Sequence, residues 1–195
     1  MIKRLFDFTA ALAGLIVLSP MFLAIAAWIK LDSRGPVFFR QERVGKDGVM
    51  FDIIKFRTMS DETFDALLTL GHDRRITQAG KFLRRHKLDE FPQLFNVVAG
   101  TMSLVGPRPE VARYVECYPP EVRSVVLSLA PGITDWASIY YKEESSLLSR
   151  SSNPESAYLE NILPSKLKYN MRYVNERTFW NDVRIIFTTL ATLVR

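Results

Sequence analysis

Residues 5–29 read LFDFTAALAGLIVLSPMFLAIAAWI, an apolar run in which Asp7 is the one charged side chain and Ser19-Pro20 falls near the middle. A helix needs about 20 apolar residues to reach across a bilayer, so the run is long enough to do so. Its Leu, Ile, Val and Phe side chains favour lipid by roughly 4 to 7 kcal/mol on an insertion scale. Pro20 removes one backbone hydrogen bond and crowds the preceding turn, and the Ser19 hydroxyl can cover the carbonyl so freed. Both flanks are basic, with Lys3 and Arg4 before the run and Lys30, Arg34, Arg40 and Arg43 after it. That pattern draws both ends to the cytoplasmic face. Two legs of about 12 residues, each about 18 Å long, are too short for a core of about 30 Å. The expected anchor is a re-entrant hairpin (residues 1–31) that dips in and returns, turning at Ser19 and Pro20 with Trp28 near the headgroups. A kinked span fits the same residues. So does a signal peptide, whose parts Lys3-Arg4 and Ala24-Ile25-Ala26 imitate, and a buried core helix is a further reading.

The remaining residues, 32–195, suffice for one cytoplasmic domain. The chain has 195 residues, 48% of them hydrophobic, and no internal repeat or low-complexity segment, which excludes a disordered tail. A formal charge of +5 and a pI near 9.4 point to an anionic partner: nucleic acid, phosphorylated substrate or acidic lipid. The single Cys117 excludes an internal disulfide, and with only His72 and His86 beside it a zinc site is disfavoured.

Beyond the anchor, 36–43 and 49–57 are β-prone and flank Val44-Gly45-Lys46-Asp47-Gly48, which predicts a β-hairpin. Lys55 and Arg57 would project from one strand face, as solvated edge charges or as phosphate ligands. Short helices are expected over 61–70 and 77–87. The basic stretch Lys81-Phe82-Leu83-Arg84-Arg85-His86-Lys87 then runs into Leu88-Asp89-Glu90, followed by apolar residues at helical spacing as far as Gly100. Asp89 reads as an N-cap with Pro92 in the first turn. A helix N-terminus keeps a carboxylate ionised and attracts phosphate, and an ionised carboxylate beside a phosphate site suits an aspartyl-phosphate intermediate. The plain alternative is a cap that neutralises the basic run. A turn between the two helices would be needed to bring Arg84 back to the acids. Arg108, held extended between Pro107 and Pro109, is a phosphate clamp or part of a structural turn. Helices are expected over 121–129 and 166–174, a turn and loop over 131–136, and an irregular lid or linker over 142–156. A final helix aligns Val183, Ile186, Phe187, Leu190 and Val194 on one face, to pack on the core or lie on a membrane. The fold class is α+β, mostly helical: a membrane-associated single domain with a re-entrant hairpin, a small β-hairpin and interfacial amphipathic helices.

Taken in order, Arg4-Leu5-Phe6-Asp7 with Ser19-Pro20, Arg43-Val44-Gly45-Lys46-Asp47-Gly48, Lys55-Phe56-Arg57-Thr58-Met59, Arg75-Ile76-Thr77, Leu88-Asp89-Glu90, Pro92-Gln93-Leu94-Phe95-Asn96-Val97, 102–109 and Pro131-Gly132-Ile133-Thr134 resemble the bacterial sugar transferases, the monotopic phosphoglycosyl transferases. The resemblance covers nearly the whole chain. It implies transfer of a sugar 1-phosphate from a UDP-sugar to polyprenyl (undecaprenyl) phosphate, with release of UMP, at the cytoplasmic face of the bacterial inner membrane. This is the first membrane step of glycoconjugate assembly, as in exopolysaccharide production. It casts Asp89 as nucleophile and Glu90 as a ligand of a Mg²⁺ cofactor, and it favours the re-entrant hairpin. Lys55, Arg57, Arg84, Gln93 and Arg108 are assigned to the substrate's phosphates and nucleotide. Larger relatives carry further membrane helices and an added domain, so the chain resembles the catalytic core alone.

Asp135 and Ser138 depart from the family's Gly and Gln, and Asn170 stands where an Asp is frequent, which touches the sugar side of the pocket. The same reaction by direct attack of the lipid phosphate, and a membrane-tethered basic adaptor, are the competing readings; no nucleic-acid partner is expected. The identity of the UDP-sugar, the downstream glycan and any homodimer are left open by the sequence.

Overall fold

The computed structural model describes residues 2–60 and 75–194, so the helix expected over 61–70, and His72, lie outside the described residues. The first element, α1, runs continuously from Ile2 to Asp32. Pro20 deprives the Ile16 carbonyl of its usual donor, and the Ser19 hydroxyl donates to that oxygen at 2.8 Å. The expected cover by Ser19 is therefore present, but the expected break into two legs is not: the helix passes through Pro20.

Both ends of α1 are tied to one globular body. At its start Lys3 donates to Asp182 at 2.6 Å and Arg4 donates to the Val97 and Val98 carbonyls. At its end the Asp32 carboxylate accepts from the Ala79 N–H at 2.9 Å. A span with ends on opposite sides of a bilayer does not fit these ties. One stripe of the helix, with Ala11, Phe22, Ile25 and Ile29, is buried in two apolar clusters shared with Ile53, Phe56, Leu83 and Val97. The other stripe is bare, with Val17 75% and Leu23 74% exposed.

The predicted hairpin forms from β1 (Phe38–Val44) and β2 (Met50–Phe56), antiparallel, with Phe39 opposite Lys55. After the described segment resumes, α2 (Gln78–Arg85) is capped by the Thr77 hydroxyl, which accepts from the Gly80 N–H. Next comes α3 (Gln93–Ala99), stopped by Gly100 at φ 92°, a left-handed end that suits glycine. Asn96 clips α3 to the hairpin: its amide donates to the Asp52 carbonyl at 2.7 Å and accepts from the Ile54 N–H at 3.0 Å.

A second, parallel pair joins β3 (Ser103–Val105) to β4 (Gly132–Thr134). The turn and loop expected over 131–136 is thus in part a strand, and a three-residue strand is too short to display a period. A Cβ on Gly132 would stand 2.1 Å from the backbone nitrogen of Gly106, so this crossing requires glycine.

Between and after these strands lie α4 (Ala112–Val115), α5 (Pro120–Leu127), α6 (Trp136–Tyr140), α7 (Glu144–Ser149), α8 (Pro154–Ala157), α9 (Leu163–Asn175) and α10 (Phe179–Val194). The largest apolar cluster unites Tyr114, Tyr118, Val126, Leu148, Tyr158 and Leu167. Leu148 corrects the reading of 142–156 as lid or linker. That stretch makes α7 and α8, buries Leu148, and pairs Glu144 with Lys166 at 3.2 Å. In α10 the inward residues are Asp182 and Ile185, whereas Trp180, Phe187 and Leu190 face out. The exposed apolar residues of α10 and α1 adjoin through Phe6 and Phe179, whose rings meet edge-on at 5.2 Å, and the α1 side continues from Trp28 to Phe82 at 5.4 Å. An apolar band of this extent marks an interaction face, and with an anchor-like α1 within it the fitting partner is lipid.

Candidate active site

Asp89 and Glu90 sit in a single 3₁₀ turn, Leu88–Glu90, between α2 and α3. Lys87 makes the turn possible by adopting a left-handed conformation (φ 56°), costly for a non-glycine residue and common where function demands it. Asp89 is therefore not the N-cap of α3. Pro92 occupies that position, and the seven-residue α3 begins at Gln93. The turn does return Arg84 toward the acids: its positive charge, like those of Lys55 and Lys87, acts on the Asp89 carboxyl.

Glu90 lies in a cationic clamp. Arg108 grips both its oxygens, with Nη1 donating to Oε2 at 3.0 Å and Nη2 to Oε1. Lys55 donates to Oε1 at 2.8 Å. These contacts follow from the fold. Asn96 sets α3 against β2, which brings Lys55 to the acidic turn, and the extended 107–109 segment leaving β3 delivers Arg108 from the opposite side. Burial alone would raise the Glu90 carboxyl, but the Arg108 guanidinium and then the Lys55 ammonium outweigh it and hold it well below the usual carboxylate range. Arg108 is correspondingly raised, chiefly by Glu90. Lys55 is lowered because burial outweighs its attraction to Glu90.

Asp89 is in the opposite condition. Its Oδ1 is buried with no hydrogen-bond partner. Burial first, and the neighbouring Glu90 charge second, push its carboxyl up against the pull of Lys55, Arg84 and Lys87. Two adjacent carboxyls are thus driven apart, one firmly ionised and paired, the other partly buried, with one unpartnered oxygen, and more basic. Such a divergence of environments is how neighbouring acids acquire separate roles.

Of the other sequence-derived candidates, Gln93 is buried at the first turn of α3. Arg57 is a correction. Its guanidinium turns away from Lys55 and donates from Nε to the Pro36 carbonyl at 2.6 Å, from Nη2 to that of Ser33 at 2.9 Å, and from Nη1 to that of Arg34. It holds the exit from α1, with each of its three nitrogens already donating to a carbonyl and the residue buried. The reason is position: β2 ends at Phe56, so the alternation that would align residues 55 and 57 stops one residue short.

Behind Arg108 stands a buried network that the sequence reading missed. Glu110 accepts from Tyr158 at 2.6 Å and from Lys166 at 2.9 Å, with Arg43 at 3.5 Å. Glu110 follows directly on Pro107-Arg108-Pro109, which was a usable signal; nothing local in the sequence marks Lys166 as buried. Asp135, where a glycine was expected, caps α6 by accepting from the Ser138 N–H at 2.6 Å. Asp135 Oδ2, Ser138 Oγ and Asn170 Oδ1 remain buried without partners, so all three departures from the family pattern are interior polar positions.

Among the described residues no group of three His, Cys, Asp or Glu side chains gathers. That donor set is too small for a closed protein cage. A magnesium ion here would have to share Glu90 with Arg108 and Lys55 and take most of its ligands from substrate phosphates.

A long apolar helix is packed on a small domain that also carries an acidic pair in a cationic setting. The bacterial sugar transferase family model matches residues 1–195, and the chain belongs to that family. It is 36% identical to the UDP-glucose:undecaprenyl-phosphate glucose-1-phosphate transferase of Escherichia coli (strain K12), over 97% of this chain and 39% of that protein. It is likewise 36% identical to the UDP-N-acetylgalactosamine-undecaprenyl-phosphate N-acetylgalactosaminephosphotransferase of Aeromonas hydrophila, over 99% of this chain and 44% of that one. The chain thus spans less than half the length of these relatives. The exopolysaccharide production protein ExoY of Rhizobium meliloti is 32% identical over 99% of this chain and 85% of its own length.

Proposed function

We propose that this protein transfers a sugar 1-phosphate from a UDP-sugar to polyprenyl phosphate, with Asp89 as the nucleophile. The observation that carries the reading is the unpartnered, buried oxygen of Asp89 beside a Glu90 locked by Arg108 and Lys55. The Asp89 carboxylate attacks the sugar-bearing phosphorus; the bond from that phosphorus to the bridging oxygen breaks, and UMP leaves with the electron pair. An oxygen of the lipid phosphate then attacks the same phosphorus and expels the Asp89 carboxylate, giving the lipid-linked diphosphosugar. A carboxylate pushed above its ordinary basicity is a better nucleophile than an unperturbed one. Lys55, Arg108 and Arg84 supply positive charge where the diphosphate would lie. Mg²⁺, held by Glu90 and the substrate's own oxygens, would neutralise charge developing on the departing phosphate.

The same proposal places α1 as a monotopic anchor with both its ends at the cytoplasmic face of the inner membrane. Its basic flanks, its bare apolar stripe and the attachment of both its ends to one body support this. The lipid phosphate lies at headgroup depth, so an acidic turn beside such a helix meets it without lifting the lipid from the bilayer. A cysteine introduced at residue 2 that labels only from the periplasmic side would contradict this placement.

The chemical test omits the acceptor. Protein incubated with Mg²⁺ and a panel of UDP-sugars carrying ³²P at the sugar-bearing phosphate should retain label and release UMP in a single burst, and Asp89→Asn should retain none. Release of UMP only when polyprenyl phosphate is added, with no label on the protein, favours direct attack by the lipid.

A further inference from the structure

A second cationic site lies away from the acids. A cavity of about 560 Å³ opens where the first turn of α1 meets the start of α10. Lys3, Arg4, Lys46 and Arg177 line it, against the single carboxylate of Asp182. Asp182 is already committed, to Lys3 at 2.6 Å and to the Tyr173 hydroxyl at 2.7 Å. Arg4 closes one wall by donating to the Val97 and Val98 carbonyls, at the C-terminal end of α3. The acidic turn precedes the N-terminal end of the same helix, so the two sites occupy its opposite ends. Lys3 also faces Asp7 at 3.7 Å and the exposed Lys46 lies 3.8 Å from Asp47, so the surplus charge rests chiefly on Arg4 and the exposed Arg177. The 16-residue α10 also directs its positive end here, with Thr178 in the lining.

The rim is apolar. Ile2 is 79% exposed, Phe179 lines the cavity, and Trp180 beside it is 76% exposed. These residues belong to the same apolar band as the bare stripe of α1. A pocket with cationic walls and a greasy mouth at that band suits an amphiphile: a phosphate whose ester substituents continue into acyl chains. We propose that it binds the phosphodiester headgroup of an anionic membrane lipid, distinct from both substrates of the transfer reaction, so that the N-terminal end of α1 is secured by a lipid as well as by protein contacts.

The test uses the full chain in neutral detergent and reads its thermal midpoint. Short-chain phosphatidylglycerol at about one hundred times its dissociation constant should raise the midpoint by roughly 5 to 11 °C. Short-chain phosphatidylcholine should not, nor should inorganic phosphate at equal concentration. Lys46→Gln/Arg177→Gln, which touches neither the acids nor their clamp, should abolish the shift. Arg150→Gln/Lys168→Gln removes the same charge from surfaces outside the cavity and should preserve it. An equal shift with inorganic phosphate would overturn the lipid as source. Retention of the shift in the first double variant, or its equal loss in both, would overturn the site. None of these readings depends on transferase activity, so failure here leaves the reaction mechanism standing.

Discussion

Removing Arg108 tests whether Glu90 is clamped before any substrate arrives. Arg108→Met deletes two of the three charge-assisted contacts on Glu90 and leaves Lys55 alone with it. A hydrogen bond to a charged group contributes about 1.5 to 3 kcal/mol, and loss of one partner of a buried pair costs about 3 to 5 kcal/mol. The side chains are not fully dry, at 17% exposure for Glu90 and 30% for Arg108, and Lys55 persists, so the expected loss is about 2 to 3 kcal/mol. For a chain of this size that lowers the melting midpoint by roughly 4 to 12 °C. Denaturation of Arg108→Met, Glu90→Gln and the double variant forms a cycle. The double variant lacks the Arg108 charge that Glu90→Gln alone would orphan, and the loss of the Lys55 partner is common to both Glu90 variants and cancels in the cycle. The double variant should therefore lose less than the two single losses together, with a coupling of about 1.5 kcal/mol or more. The coupling should also depend on pH. Glu90 has a depressed folded-state value, so its contribution is complete above about pH 5, where an unfolded glutamate is ionised, and disappears as the pH falls through that depressed value. Additivity within about 0.5 kcal/mol at pH 7 would refute the clamp.

Asp89→Asn should do the opposite to stability while destroying turnover. The Asp89 carboxyl is raised by burial, so its ionised form weakens the fold increasingly as the pH rises above the ordinary aspartate value near 4. Scanning calorimetry should find Asn more stable at pH 7, by about 1 kcal/mol or more, with the gain shrinking in acid; an Asn variant less stable than wild type at pH 7 contradicts the assignment. Arg57→Gln should destabilise by roughly 2 to 4 kcal/mol, because three carbonyls lose a charged donor. In whatever protein remains folded it should leave the KM for nucleotide sugar unchanged, as steady-state kinetics can determine.

Much of the site was legible because it depends on local chemistry. The hairpin's glycine-rich turn, the end of α3 at Gly100 and the cover that Ser19 provides for the carbonyl freed by Pro20 all follow from backbone rules within a few residues. Asp89 beside Glu90 stood out for the same reason. What sequence could not supply was the partner of each charge. Lys55, Arg57 and Arg108 look alike as phosphate ligands until the strand's end at Phe56 rotates one away, and the clamp on Glu90 joins residues 18 and 35 positions distant. The parallel pair of three-residue strands and the burial of Leu148 in α7 arise from tertiary packing, and segments that short show no period by which to anticipate them.

The burial of Ala11, Phe22, Ile25 and Ile29 makes α1 an internal wall, whatever its bare stripe meets. Cutting it away to obtain a water-soluble fragment would strip two apolar clusters of a side and expose Ile53, Phe56, Leu83 and Val97. A soluble form is better sought by recolouring the outward stripe with polar side chains, from Val17 to Leu23 and on to Leu31, than by shortening the chain. The same wall prevents free exchange of anchors between relatives: a transplanted helix would need to match the inner stripe as a core residue does, whatever its affinity for lipid.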